Sequence, residues 1–263
     1  MAGVAIATVI SQCISAGLVL LCLVKSRTVY QVDLKHLRIK GDKLWGMTKI
    51  GLPAGIQGCS FSISNVLIQS SINSFGAVAM AGNTAASNIE GFVSTGMDAF
   101  SQAALSFTGQ NVGAGQLKRV NKILPLCLAL ITGTGLVLGI GAYLLGPQLL
   151  GIYTTEAGVI QYGLVRMAVV CAFQFIGGWM GVMVGTLRGM GYSLVPMAIT
   201  IGFVCGFRVL WLFTIFAVWR TLDVLYVSYP ITWGLAAFFD GVCFFVVRKH
   251  LAKKLSLSSQ KEQ

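Results

Sequence analysis

Seven stretches of this sequence run almost without charge for long enough to cross a bilayer as helix, which takes about 20 residues. They are residues 4–24, 50–75, 77–113, 123–145, 158–187, 192–218 and 224–247. Few folds remain open to such a chain. Hydrocarbon offers the backbone no hydrogen-bond partner, so a spanning segment must be a helix or a strand of a closed barrel. A barrel needs segments of about ten residues alternating in polarity, and the sequence has none. The expected fold is all-α, a polytopic membrane protein of about seven transmembrane helices. Composition agrees, with 56% hydrophobic and 10% charged residues. Pro53, Pro125, Pro196 and Pro230 fall in first turns and Pro147 follows the fourth span, where a missing N–H costs least.

A net charge of +11 raises the question of nucleic acid, which the placement of the basic residues answers. Sixteen of the 19 Lys and Arg lie between the first and second spans, the third and fourth, the fifth and sixth, or after the seventh. Arg220 alone lies on the other side, and Arg166 and Arg208 lie within spans. This uneven alternation is the positive-inside pattern. It places the segment 25–49 and the C-terminus in the cytoplasm and the N-terminus outside. Topology accounts for the charge, so no nucleic-acid partner is expected; the partner is the lipid bilayer.

The first span is read as an inserted helix rather than a secretory leader, because its positive charge follows it. In the linker, Leu34, Leu37 and Trp45 among lysines suggest a short amphipathic helix on the membrane surface. The tail after Lys254 is polar and is expected to be disordered. The seven cysteines all fall inside spans, without paired spacing or nearby histidine. No metal site and no disulfide framework is expected, and they read as small packing residues. His36 and His250 read as solvated surface groups. Gly177, Gly181, Gly185 and Gly189 recur every four residues and make a smooth face for a neighbouring helix; Gly135 and Gly139 make another. No catalytic constellation occurs, so no enzyme is expected.

The third span breaks the apolar pattern. At 100° per residue, Asn83, Ser87, Glu90, Ser94, Asp98 and Ser101 share an arc of about 80°. A carboxylate at mid-bilayer costs about 2.5–3.5 kcal/mol on insertion scales, so this face must line protein or water. In the second span Ser62, Asn65, Gln69 and Asn73 form a similar stripe. The turn at Gly76 is short enough to make the two helices antiparallel neighbours, and their stripes are expected to face one cavity for a solute or ion. Glu90, Asp98, Asn65, Gln69, Asn83 and Ser94 are the candidate binding residues. Rises of about 1.5 Å per residue put Glu90, Arg166 and Arg208 at comparable depth, so a buried structural ion pair between Glu90 and either arginine is a competing account of Glu90. Asp240 reads as structural, meeting Arg248 or the lipid interface.

Four stretches carry a resemblance: KIGLPAGIQ at 49–57, FSISN at 61–65, SFTGQNVGAGQLKR at 106–119 and GTLRGMGYS at 185–193. Together they resemble the multidrug and toxic compound extrusion (MATE) transporters, especially the bacterial DinF-like branch. The resemblance implies two six-helix lobes joined by a cytoplasmic linker. Residues 1–24 then match the last helix of the N-terminal lobe, 25–49 the linker, 50–247 the six-helix C-terminal lobe and 248–263 a cytoplasmic tail. The first five helices have no counterpart, so the chain reads as a truncated transporter needing a missing lobe or a second copy. The family implies export of cationic, amphipathic drugs across the bacterial plasma membrane in exchange for Na⁺ or H⁺, with no cofactor. In the NorM-type branch the helix matching the second span carries a membrane glutamate. Here that helix has only Ser, Asn and Gln, so Glu90 would substitute. Two alternatives stand: a lipid-linked glycan flippase of the same superfamily, and a membrane protein that does not transport.

Overall fold

The computed structural model describes residues 2–26, 31–33 and 38–261. Helices form all of its regular structure, and no strand occurs among the described residues. The chain divides into two units, Met1–Met47 and Thr48–Gln263.

In the first unit, α1 (Ala2–Lys25) is mostly apolar, with Thr8, Ser11, Gln12 and Ser15 on one face, and ends on Lys25. Residues 31 and 32 bond to its last turn: Val32 N donates to Leu23 O at 3.2 Å and the Gln31 amide to Val24 O at 3.1 Å. α2 (Gly41–Asn73) starts within this unit and continues into the second. Lys43 and Lys49, expected in the linker, therefore lie on a helix. Trp45 belongs to the same helix rather than to a separate surface helix, and Leu34, Leu37 and His36 lie outside the described residues.

The second unit is a bundle organised around α3 (Ala77–Gly113). It packs on α4 (Leu117–Leu144), on α6 (Ala157–Val169) and most extensively on α7 (Gln174–Gly189). The short α5 (Gly146–Gly151) links α4 to α6. Beyond α7 the chain continues as α8 (Leu194–Ile199), a π-helical segment (Thr200–Gly206), α9 (Phe207–Phe213), α10 (Ile215–Val218) and α11 (Leu222–Lys261). The tail expected to be disordered thus extends α11 to Lys261.

Two apolar cores hold the bundle. One joins α3, α4, α6 and α7 through Val93, Met97, Ile131, Met167, Val182 and Leu187. The other joins α2, α11 and the bend after α6 through Ile68, Ile72, Val170, Leu225, Tyr226 and Trp233. Glycines let the backbones of α3 and α7 close up: a Cβ on Gly185 would stand 2.5 Å from Ser101 O and one on Gly189 2.7 Å from Leu105 O. The expected smooth face exists, although Gly177 meets Trp233 of α11 instead. Cys127 and Cys171 are buried packing residues, whereas Cys13, Cys22 and Cys59 are exposed on helix surfaces.

Among the described residues, four helical stretches are long and apolar enough to cross a membrane, five if the α6–α7 pair, bent by 49°, is one span. α2 and α3 fall short of that hydropathy, although α3 spans 37 residues. Their polar stripes dilute it. These two helices are the ones that build the site.

Candidate functional site

Gly76, at φ 96°, lets α2 reverse into α3 within three residues; a left-handed backbone is costly for any residue with a Cβ. The reversal lays the two polar stripes side by side. They enclose a cavity of about 280 Å³ lined by Asn65 and Gln69 of α2, Ser87, Glu90 and Ser94 of α3, Arg166 of α6 and Tyr229 of α11.

Within this wall Glu90 is engaged. Arg166 donates to its Oε2 from Nε at 3.1 Å and from Nη2 at 2.6 Å, the side chains being 8% and 15% exposed for Arg166 and Glu90. Arg166 Nη1 donates to Asn83 Oδ1 at 2.7 Å, and Tyr226 OH donates to the same oxygen at 3.1 Å. Asn83 Nδ2 donates to Gln69 Oε1 at 2.9 Å, whose amide donates to Asn73 at 2.9 Å. One chain of bonds thus runs from α2 through α3 to α6 and α11, and fixes the guanidinium in position before any ligand arrives. Asn83 belongs to that brace; of the six candidate binding residues, Glu90, Asn65, Gln69 and Ser94 line this cavity. Gln174 donates to Ser94 Oγ at 2.7 Å, so α7 also supports the wall.

Of the two arginines open as partners of Glu90, the structure selects Arg166. Arg208, 2% exposed, instead lies 4.1 Å from the Tyr229 ring centroid and donates Nε to Thr232 Oγ1 at 3.3 Å. Arg166 sits 5.5 Å from the same ring. Tyr229 therefore lies between two guanidiniums, its electron-rich face partly compensating a cluster with one carboxylate and two cations.

The bend between α6 and α7 aims both Arg166 and Gln174. Over residues 170–173 the ladder slips, Ala172 N reaching Met167 O at 3.3 Å, five residues back. Such single-turn slips recur where a helix must redirect a functional side chain.

Asp98 does not join Glu90. It lines a second cavity of about 320 Å³ with Gln57, Phe61, Ser101, Gln102 and Arg188. Sequence reasoning does not single out Gln57 or Arg188 as site residues, although both stand in the motifs at 49–57 and 185–193. Arg188 Nη2 donates to Gln57 Oε1 at 2.5 Å, and Gln57 Nε2 donates to Thr200 Oγ1 at 2.7 Å. Asp240 corrects an expectation. It meets neither Arg248 nor the interface; it is 0% exposed, and Arg188 is the charge acting on it.

Ionisable groups buried against polar cavities inside an apolar helical bundle are the pattern of a polytopic membrane protein. Comparison with known proteins narrows the class. The MatE family model matches residues 53–212, more than half of the sequence, and the chain belongs to this family. The probable multidrug resistance protein NorM of Thermotoga maritima is 26% identical over 198 residues, 75% of this chain and 42% of its own length. The probable multidrug resistance protein YoeA of Bacillus subtilis is 25% identical over 239 residues, 89% and 51% respectively. This chain therefore spans about half the length of the curated relatives it matches. Among solved structures, a MATE protein in complex with MaL6 superposes with a TM-score of 0.85 at 18% identity over 95% of this chain and 57% of its own. The Vibrio cholerae MATE transporter VcmN in its bent form gives 0.73 at 17% identity, covering 87% and 51%. At such identities the likeness establishes the fold.

Proposed function

We propose that this chain is one lobe of a secondary active transporter of the cell membrane that exports cationic, amphipathic small molecules in exchange for Na⁺ or H⁺. Glu90 is its central group, with Asn65, Gln69 and Ser94 around it, Asn83 bracing it and Asp98 offering a second carboxylate in the neighbouring cavity. The observation that carries the reading is the Glu90–Arg166 pair in the wall of a polar cavity. A carboxylate held by one guanidinium is released when a proton or metal cation takes it, and a cationic solute competes for the same group. Exchange follows, because ion and solute cannot both hold Glu90. Alternating access requires two lobes rocking about the site, so the reading calls for a second lobe facing this one. The DinF-like placement rests on the four motifs, and the cytoplasmic position of the C-terminus on the basic segments.

A second reading draws support from the arginines. Each cavity has a guanidinium in its wall, Arg166 in one and Arg188 in the other, as a flippase handling an anionic lipid-linked phosphate would need. Proteoliposomes separate the two. Efflux of a cationic dye driven by a Na⁺ or pH gradient, abolished in Glu90→Gln with insertion intact, supports the exporter. Translocation of a fluorescent polyprenyl-phosphate sugar without dye flux moves the assignment to the flippase, and a folded chain that moves neither probe favours a membrane protein that does not transport.

A further inference from the structure

The polar groups next to the Asp98 cavity carry an arrangement that the Glu90 cavity lacks. Asp240 of α11 is completely buried, and neither of its oxygens meets a hydrogen-bond donor among the described residues. Across from it on α7, the Nε of Arg188 is likewise buried without an acceptor, while Nη2 is committed to Gln57. A donor and an acceptor that act on each other electrostatically thus both stand unused, beyond ion-pair distance. An ionised carboxylate without a donor or water is among the costliest groups a protein interior can hold, and such a group neutralises by binding a proton.

We propose that Asp240 is a proton-binding site whose occupancy is exchanged against the Arg188–Gln57 bond. With the proton on, Asp240 is a neutral acid and Arg188 holds Gln57, tying α2 to α7 across the Asp98 cavity. With the proton off, transferred to water or a buffer base entering that cavity, Asp240 is a carboxylate. Arg188 then swings from Gln57 to it, and α2 loses its tie. The proton is the only species gained or lost, and the positive charge of Arg188 is conserved throughout.

The surroundings fit two arrangements. The charged group facing Asp240 is Arg188 from α7, and Cys243 stands on its own helix. The π segment packs on α11, where its Phe203 stacks on Phe239 at 4.2 Å, and its ionisable residue, Cys205, is not among the groups acting on Asp240. Thr200, the other partner of Gln57, opens that same π segment. Stretches with a slipped hydrogen-bond ladder shift register more easily than regular helix, so the release of Gln57 has somewhere to go. The inference stands apart from the export reading, since it requires no solute and no second lobe.

Infrared spectroscopy of the purified chain in lipid nanodiscs tests it. At neutral pH we expect a C=O stretch of a protonated carboxyl that shifts in D₂O, is lost in Asp240→Asn and persists in Glu90→Gln and Asp98→Asn. Raising the pH should remove the band in the unmodified chain, which needs no variant. Gln57→Leu, which frees Arg188, should lose the band at lower pH, and Arg188→Gln at higher pH. Absence of the band, or its survival in Asp240→Asn, overturns the proton site. A titration unmoved by both Gln57→Leu and Arg188→Gln overturns the exchange.

Discussion

At Glu90 the cost of an ion in a low-dielectric interior is met by geometry. Arg166 contributes two bonds to one carboxylate oxygen and a third to Asn83. Removing one member of such a pair leaves the other charged and desolvated, a loss of about 3–5 kcal/mol. Glu90→Gln is therefore expected to destabilise the folded lobe by about that amount, and Glu90→Gln with Arg166→Gln to recover at least half, as read by denaturant titration in micelles. A parallel argument applies to Tyr229, whose ring serves both Arg166 and Arg208. Desolvated cation–π contacts contribute about 2 kcal/mol each, so Tyr229→Leu should cost about 3–4 kcal/mol and Tyr229→Phe, which keeps the face, well under half of that. The stripe and the Glu90 pairing were legible in the sequence because helical periodicity and the cost of a charge in lipid are local arguments. The choice of Arg166 over Arg208, and the involvement of Gln57 and Asp240, were not. They depend on side chains distant in sequence meeting across helices, as Arg166 meets Glu90 over 76 positions and Gln57 meets Arg188 over 131 and Thr200 over 143.

At the scale of elements, the glycines of α7 decide how closely α3 approaches. A Cβ at Gly185 would stand 2.5 Å from the Ser101 carbonyl, a backbone atom with no freedom to yield. Gly185→Val should destabilise by at least the roughly 1–3 kcal/mol typical of overpacking. It should also change the Asp98 cavity, which Gly185 lines. Gly133 on α4 faces open space, so Gly133→Ala should be neutral or slightly stabilising; thermal unfolding of the two variants in the same lipid checks the contrast. The every-fourth-residue spacing announced this face, and the bounds of α3 coincide with the expected 77–113. The break between α6 and α7 gave no such notice. Residues 170–173 are Val, Cys, Ala and Phe, without the proline or glycine that normally marks a kink. The slip there is imposed by packing, for the backbone of Cys171 lies directly against Gly139 of α4.

For the whole molecule, the open physical question is which way the bundle faces, and charge placement gives a definite expectation. Lys118, Arg119 and Lys122 cluster at the start of α4, while the connection between α5 and α6, Ile152–Glu156, has no basic residue. Basic residues next to a span are retained on the cytoplasmic side. In a cysteine-free background expressed in bacterial cells, Lys118→Cys should therefore react with a membrane-impermeant maleimide only after lysis, and Thr154→Cys in intact cells. Labelling in the reverse order would invert the bundle and remove the export direction proposed above, while leaving the Glu90–Arg166 pair intact. Equal labelling of both sites in intact cells would mean mixed insertion. In that case the basic residues remaining in the second unit do not fix its orientation alone, and the Lys and Arg of the segment 25–49 would have to supply the rest. Adding lysines at Thr154 and Thr155 tests that account directly, because a bundle held only by its charge bias should then shift its labelling toward the inverted pattern.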